Sequence, residues 1–366
     1  MSPLRYVVTP GNTRLMLLTV TPIRRAAERL LTPHPIDRYL ELVDPLWSTA
    51  DIRAEVVRAE RRTADTVTLT LRPNRHWPGF VAGQHVLVTV EVDGVRRTRS
   101  YSMASSQHRA DGCFELTVKA MPDGTVSPFL RANAAPGMVV HLSAPAGDFV
   151  LPGERPDRVL LVSGGSGVTP VMSMLRTLCD EGYTGPVTFL HYAFREDDVA
   201  YRTELAELDA AHPNVTVVLA YTEQTEGGDL HGLFCAEHLA RAMPDHAEPG
   251  TAIFLCGPGP LMDAITAHCD EVGLLERLHT ERFAPPARPP MVDAPQGAIT
   301  FTNSGVTVAN DGRSILEQAE AAGLSPASGC RMGICHTCTR RVTTASGEAA
   351  AQICTTYATS DVAVDL

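Results

Sequence analysis

A chain of 366 residues has room for two or three domains, and 44 % apolar with 20 % charged residues suits soluble, well-cored domains. The net charge of −11 argues against non-specific nucleic-acid binding, which needs basic patches. No run approaches the ~20 apolar residues of a membrane span, and the apolar run Leu15 to Val20 is short and lacks a small-residue cleavage site after it, so a cytosolic protein is expected.

Residues 1–50 read as an N-terminal extension broken by Pro22, Pro33, Pro35 and Pro45, with a short helix expected from Ile23 to Leu31. Such a segment is either a strap on the main body or a docking surface for a partner or an anionic membrane face. From Glu55 to Val150 the period is two. Thr66 to Leu71, His85 to Val92 and Phe114 to Val118 alternate as strands, separated by turn signals at Pro78-Gly79, Asp93-Gly94, Asp111-Gly112 and Pro136-Gly137. Asp93-Gly94 between two strand-like runs predicts a hairpin. About six such strands predict an antiparallel barrel.

At residue 158 the pattern changes. Strands Arg158 to Ser163, Val187 to Tyr192, Val215 to Ala220 and Ala252 to Cys256 alternate with helices Pro170 to Glu181, Val199 to Ala211, His231 to Ala242 and Gly259 to Val272. Strict alternation predicts a parallel sheet covered on both faces. Residues 284–297 hold five prolines and predict a semi-rigid linker before a compact last domain, 298–366.

Nine cysteines divide into two groups. Cys113, Cys179, Cys235, Cys256 and Cys269 are scattered, as small buried hydrophobes usually are. Cys330, Cys335, Cys338 and Cys354 are crowded, and crowded cysteines are ligands. Cys330-x4-Cys335-x2-Cys338 with one later cysteine is the plant-type [2Fe–2S] spacing, in which one loop delivers three thiolates to one cluster. Gly329 and Gly333 let that loop bend its N–H groups toward inorganic sulfide. A zinc site would want a second Cys-x2–4-Cys knuckle, which is missing, and His336 between two cysteines offers the other alternative, a mixed-ligand site. Cys354 is the expected fourth ligand. Only fifteen residues separate it from Cys338, and Ala349-Ala350-Ala351 reads as a trimmed loop.

Arg99-Ser100-Tyr101-Ser102 closes a strand at the expected barrel mouth. It resembles the Arg-x-Tyr-Ser/Thr flavin signature of the ferredoxin–NADP reductase superfamily. Arg offers a fork to a pyrophosphate, Tyr a flat face to a flavin ring, and the Ser102 hydroxyl a hydrogen bond near its N5. Gly83-Gln84 precedes this run and Gly124-Thr125-Val126-Ser127 follows it. Ser127 is expected to cap a short helix whose N-terminus faces the pyrophosphate, and the resemblance implies that Val118 and Lys119 lie beside the flavin tail. Gly164-Gly165-Ser-Gly167-Val168-Thr169-Pro170 forms strand, glycine turn and helix start, and resembles the superfamily's nicotinamide motif. Cys256-Gly257-Pro258 resembles the second half of that motif, with Cys256 beside the nicotinamide C4. A buried strand-end thiol is the plainer alternative. Glu281, in His279-Thr-Glu281-Arg-Phe283, resembles the acidic residue near the flavin, or is only a strand-end carboxylate. Arg195 and Arg202 resemble the residues that pair with a 2′-phosphate, which implies NADPH over NADH.

The resemblance therefore implies an FAD-binding antiparallel β-barrel over 51–153, an NAD(P)-binding α/β domain over 154–283 and an α+β, β-grasp [2Fe–2S] ferredoxin domain over 298–366. Some relatives use FMN in place of FAD. The implied activity is electron transfer from NADPH through FAD and the cluster to a one-electron acceptor protein, by a monomer that meets no nucleic acid. Thr32 to Leu40 and Asp44 to Ser48 are similar to actinobacterial reductases that serve fatty-acyl-CoA desaturases, which would bring residues 1–50 to a membrane. A ring-hydroxylating oxygenase or a cytochrome P450 system using NADH is the alternative acceptor, and a non-catalytic redox carrier or sensor the rival of a different class.

Overall fold

The structure is a computed structural model, and it describes residues 36–122, 124–283, 296–329, 333 and 337–366. Alternation of β-branched and polar residues produces six strands: β1 (Ile52–Arg61), β2 (Thr66–Pro73), β3 (His85–Val92), β4 (Val95–Ser102), β5 (Phe114–Lys119) and β6 (Val139–Leu142). They form one antiparallel sheet in the order β4-β3-β6-β1-β2-β5, and an isolated bridge from Met103 to Leu116 ties its two edges into a half-barrel. The β3–β4 hairpin turns on Asp93 (φ 52°) and Gly94 (φ 74°), the two positive angles of the turn that matches strand twist. A helix, α2 (Val126–Asn133), plugs the barrel with Val126 and Leu130.

The α/β part carries a parallel sheet, ordered β10-β9-β8-β7-β11-β12. Its strands are β7 (Arg158–Gly164), β8 (Val187–Ala193), β9 (Val215–Tyr221), β10 (Leu230–His231), β11 (Thr251–Cys256) and β12 (Leu278–Glu281). Helices α3 (Val168–Asp180) and α4 (Arg202–Ala211) belong to one face, α5 (Ala236–Ala242) and α6 (Gly259–Glu271) to the other. All seven residues of β8 and all six of β11 are buried, because helices cover both faces. The predicted helices starting at Val199 and His231 begin later, at Arg202 and Ala236. A 3-10 turn (Glu196–Asp198) precedes the first, and Leu230–His231 extends the sheet edge before the second.

The C-terminal part is a five-stranded mixed sheet, β14-β13-β17-β15-β16, with helix α7 (Ile315–Ala321) packed on it in a β-grasp. Here β13 is Ala298–Phe301, β14 Val306–Ala309, β15 Thr339–Thr344, β16 Gly347–Gln352 and β17 Val362–Val364. Ala349-Ala350-Ala351 is strand β16 and not a trimmed loop: it pairs with Arg340, Arg341 and Val342 along the sheet edge.

Of the N-terminal extension, the helix expected at Ile23 to Leu31 lies outside the described residues. A different helix, α1 (Ile36–Val43), follows Pro35. Asp37 accepts the Thr49 N–H and hydroxyl (2.8 and 2.9 Å), and buried Arg53 donates to Glu41 at 2.6 Å. These bonds strap the segment to β1. No residue of α1 is buried, and Leu42 is 82 % exposed. No described helix is long and apolar enough to cross a membrane.

Candidate flavin, nicotinamide and iron–sulfur sites

Strand register builds the first site. In the β3–β4 hairpin Ser102 pairs with His85, which puts both side chains on one face at the end of the barrel. In the parallel sheet Glu281, Cys256, Ser163 and His191 are register partners across β12, β11, β7 and β8, so four polar groups form one row. The two sets meet where the barrel packs on the sheet. Ser102 Oγ is 3.4 Å from Glu281 Oε2, and His85 Nδ1 is 3.5 Å from Glu281 Oε1. Glu281 is buried to 9 % exposure, Ser102 to 4 %, and Cys256 completely. Burial, and then the Glu281 charge, push the Cys256 thiol well up, so it remains a neutral S–H. The Ser163 hydroxyl lies 2.8 Å from His191 Nδ1, and burial lowers that imidazole to about 4.

The glycines of the nicotinamide motif have two different duties. A Cβ on Gly167 would stand 2.2 Å from the carbonyl oxygen of Cys256, and one on Gly164 2.8 Å from Pro258 and Leu261. Both are needed because the Gly164–Thr169 turn is pressed against the Cys256–Pro258 turn, not only to admit a pyrophosphate. Gly165 (φ 52°) has nothing within 4 Å of its would-be Cβ, and is the open position of the turn. Val168 and Thr169 begin α3 and are buried.

Arg99 is half-buried and donates to the Thr98 carbonyl at 2.8 Å. Among the described residues it joins no ion pair, so its charge is available to an anion such as the FAD pyrophosphate. Tyr101 lies on the same strand face as Arg99 and packs against the barrel core, while Ser100 points the other way. The capping role expected of Ser127 does not hold. Thr125 is the cap residue of α2 without a side-chain bond, and Ser127, one residue inside the helix, accepts the Met121 N–H at 3.2 Å. That bond closes a tight turn, in which a Cβ on Gly124 would stand 3.0 Å from Ser127 Oγ. The Val118 side chain is inside the barrel core, so any contact of that residue with a flavin is through its backbone. Lys119 pairs with Asp65 at 3.3 Å.

Arg195 and Arg202 sit beyond β8 on the exposed rim, away from the buried row. Arg195 pairs with Glu223 at 3.7 Å and Arg202 with Glu196. Exposed pairs of this kind are worth at most about 1 kcal/mol, so a phosphate can displace them.

The junction is locked by an ion network around buried Glu115. Arg176 on α3 donates to Glu115 on β5 (2.9 Å), to both oxygens of Glu204 (2.6 and 2.7 Å) and to the Ala104 carbonyl (2.7 Å). Arg109 also donates to Glu115, and the Tyr201 hydroxyl meets that of Thr117. Gly83 sits so tightly that a Cβ would be 2.1 Å from the Phe149 carbonyl oxygen.

For the cluster, Cys330 and Cys335 lie outside the described residues, while Cys338 and Cys354 are both buried in the C-terminal core. The β15–β16 register pairs Thr339 with Gln352, and the Ile353 N–H bonds the Cys338 carbonyl at 3.4 Å, which brings the two cysteines to one end of the hairpin. A tight hairpin thus spans the fifteen residues between them. Gly333 (φ 77°), from the middle of the cysteine loop, abuts residues that flank Cys354: a Cβ there would be 3.0 Å from Gln352 Oε1 and from Thr355 Oγ1. Gly333 therefore stands beside the turn that carries Cys354, and the donor set fits a [2Fe–2S] centre.

His85 was not singled out from sequence. Its signal was present: a two-residue turn at Asp93-Gly94 pairs residue 92 with 95, and counting outward pairs 85 with 102.

The chain matches the oxidoreductase FAD-binding domain family over residues 53–151, the oxidoreductase NAD-binding domain family over 161–267, and the 2Fe-2S iron-sulfur cluster binding domain family over 299–359. It is 38 % identical over 320 residues to an NADPH oxidoreductase of Mycobacterium tuberculosis, covering 86 % of this chain and 82 % of that one. It is 30 % identical over 282 residues to a glycine betaine monooxygenase reductase subunit of Chromohalobacter salexigens, covering 71 % and 76 %. Among solved structures, phthalate dioxygenase reductase shares the fold, with a TM-score of 0.59 at 22 % identity over 86 % of this chain and 97 % of that one. An Amycolatopsis cytochrome P450 reductase aligns with a TM-score of 0.57 at 27 % identity, over 64 % and 70 %.

Proposed function

Because the chain belongs to the ferredoxin–NADP reductase superfamily, as an NAD(P)H-dependent FAD oxidoreductase with a C-terminal [2Fe–2S] domain, we propose that it draws hydride from NADPH at the Ser102–Cys256–Glu281 junction and delivers single electrons to an oxygen-activating partner, a fatty-acyl-CoA desaturase. When bound, FAD supplies the exchange between paired and single electrons, and the cluster supplies a one-electron exit. The protein's share is placement. Arg99 anchors the pyrophosphate and Tyr101 presents its ring to the flavin. Glu281 accepts the Ser102 hydroxyl proton in a hydrogen bond and so aims its oxygen. The neutral Cys256 thiol lines the nicotinamide side without competing as a nucleophile, and burial of the row excludes water from the hydride path. Cys330, Cys335, Cys338 and Cys354 hold the cluster.

The observation that carries this reading is the meeting of Ser102 and Glu281 at 3.4 Å, from two domains and beside buried Cys256. NADPH is supported by Arg195 and Arg202 at the rim, and by 38 % identity to a protein named as an NADPH oxidoreductase. The desaturase is supported by the similarity at Thr32 to Leu40 and Asp44 to Ser48. The same reading puts its contact on residues 1–50, whose described part exposes Leu42 and Val43. A monooxygenase acceptor is the second reading, favoured by 30 % identity to a monooxygenase reductase subunit. Coupled turnover separates them: NADPH oxidation should rise on adding a membrane desaturase with its acyl-CoA, and not with a ring-hydroxylating oxygenase. The reverse result selects the second reading. NADH working as well as NADPH would remove the donor assignment.

A further inference from the structure

The junction holds a histidine that the reading above leaves unused. His85 opens β3 directly after Gly83-Gln84 and is 3 % exposed. Its backbone is fixed on both sides, by the pairing with Ser102 and by two hydrogen bonds of 2.9 Å exchanged with Ala146. Gly147, at φ 109°, leaves room for the ring, since a Cβ there would stand 3.0 Å from Nδ1. Both ring nitrogens are buried, and neither has a hydrogen-bond partner among the described residues. Nδ1 nevertheless lies 3.5 Å from Oε1 of Glu281, whose other oxygen is the one nearest Ser102.

A neutral imidazole has one N–H and one bare nitrogen. A buried orphan donor is rarer in proteins than an under-satisfied acceptor. With the proton on Nε2, the N–H would point at no acceptor and the Nδ1 lone pair would face a carboxylate. With the proton on Nδ1, the donor faces the one carboxylate in reach, and a few tenths of an ångström complete the bond. An apolar side chain would fill the same space among barrel residues with no polar atom to satisfy, so the gain from histidine here is its neighbour, Glu281.

We propose that His85 is a positioning residue for Glu281: its Nδ1–H donates to Oε1, which leaves Oε2 for the Ser102 hydroxyl and holds the carboxylate at one angle beside the flavin site. No bond is made or broken in this role. The inference rests on the reading that Ser102 and Glu281 face the flavin.

The test uses the FAD-loaded full chain. Long-range 1H–15N spectra of the histidine rings are expected to show the His85 proton on Nδ1, with an Hδ1 signal that shifts or broadens in Glu281→Gln. A proton on Nε2 in the wild type, or signals unmoved in Glu281→Gln, overturns the proposal without reference to turnover. In rapid mixing with NADPH, His85→Phe is expected to slow flavin reduction by about 10- to 100-fold, the scale of a small misplacement in an active site, while FAD content stays full. His85→Gln, whose amide can donate, is expected to recover most of that loss. Reduction at the wild-type rate in His85→Phe overturns the proposal, and where that variant does not fold the Glu281→Gln spectra decide. Failure of the underlying reading looks different: Glu281→Gln then reduces its flavin at the wild-type rate, whatever the spectra show, and both fall together.

Discussion

At the barrel–sheet junction the groups that meet open or close four separate strands, and the hydrogen bond from Ser102 to Glu281 joins residues 179 apart in sequence. In the C-terminal domain three of the four cysteines fall within nine consecutive residues, and the fourth is one hairpin away. The junction is a product of register, close glycine contacts and an ion network around buried Glu115. The cysteine loop is a local sequence device that the hairpin completes. The two ends of one electron path thus have independent structural supports, and each should be removable without the other.

The sharpest break is at the cysteines. Cys354→Ser should abolish the iron–sulfur absorption and NADPH-dependent cytochrome c reduction, while hydride still reaches the flavin in single-turnover mixing. Loss of both activities in a folded variant would sink the proposed order of transfer. The converse change is at the junction. Ser102→Ala is expected to slow flavin reduction by about 100-fold, the usual scale for a group that positions a proton in hydride or proton chemistry, with the iron–sulfur spectrum intact. Unchanged single-turnover kinetics would reduce Ser102 to a packing residue.

A third variant loosens the junction without touching the reacting groups. Arg176→Ala removes a partner of buried Glu115 and should destabilise the barrel–sheet unit by about 3 kcal/mol, read as a lower melting temperature of the flavin signal alone. A melting curve in which both chromophores shift together would show that the two supports are coupled. The same pair predicts an acid limb. Burial pushes the Glu115 carboxyl up, but Arg176 and Arg109 outweigh it and hold it below its ordinary 4.5. A depressed carboxyl contributes stability above its unfolded value, and that contribution is lost as pH falls through the folded value. Stability should therefore be flat near neutrality and drop below about pH 4.5, less steeply in Arg176→Ala. The smallest expected effect is at the rim: Arg195→Ala and Arg202→Ala should each raise the KM for NADPH about tenfold, one charged hydrogen bond's worth, and leave that for NADH alone.

Much was legible where the physics is local. The Cys330–Cys338 loop, the Asp93-Gly94 turn and the alternation of strand and helix after residue 158 each follow from a few neighbouring residues, and the structure reproduces the turn and the alternation. Local reading erred where a partner outside the short pattern decides. Ser127 was expected as a cap because hydroxyls favour caps, but the turn at Met121 takes its oxygen. Ala349 to Ala351 looked like a trimmed loop because only fifteen residues separate Cys338 from Cys354, yet pairing with β15 makes them a strand. The second duty of Gly164 and Gly167 in the nicotinamide motif, making room for the neighbouring turn, has no local signal.

The barrel-like and alternating periods and the cysteine spacing were readable in the chain alone, because each is set by short-range pattern, while the flavin and nicotinamide motifs were readable by resemblance. Tertiary structure alone decided which polar groups share the buried row, why Cys256 stays a thiol, and that His85 stands beside Glu281. Those depend on strand register and on how the barrel is laid against the sheet, and burial at that contact, not residue type, sets what each group can do.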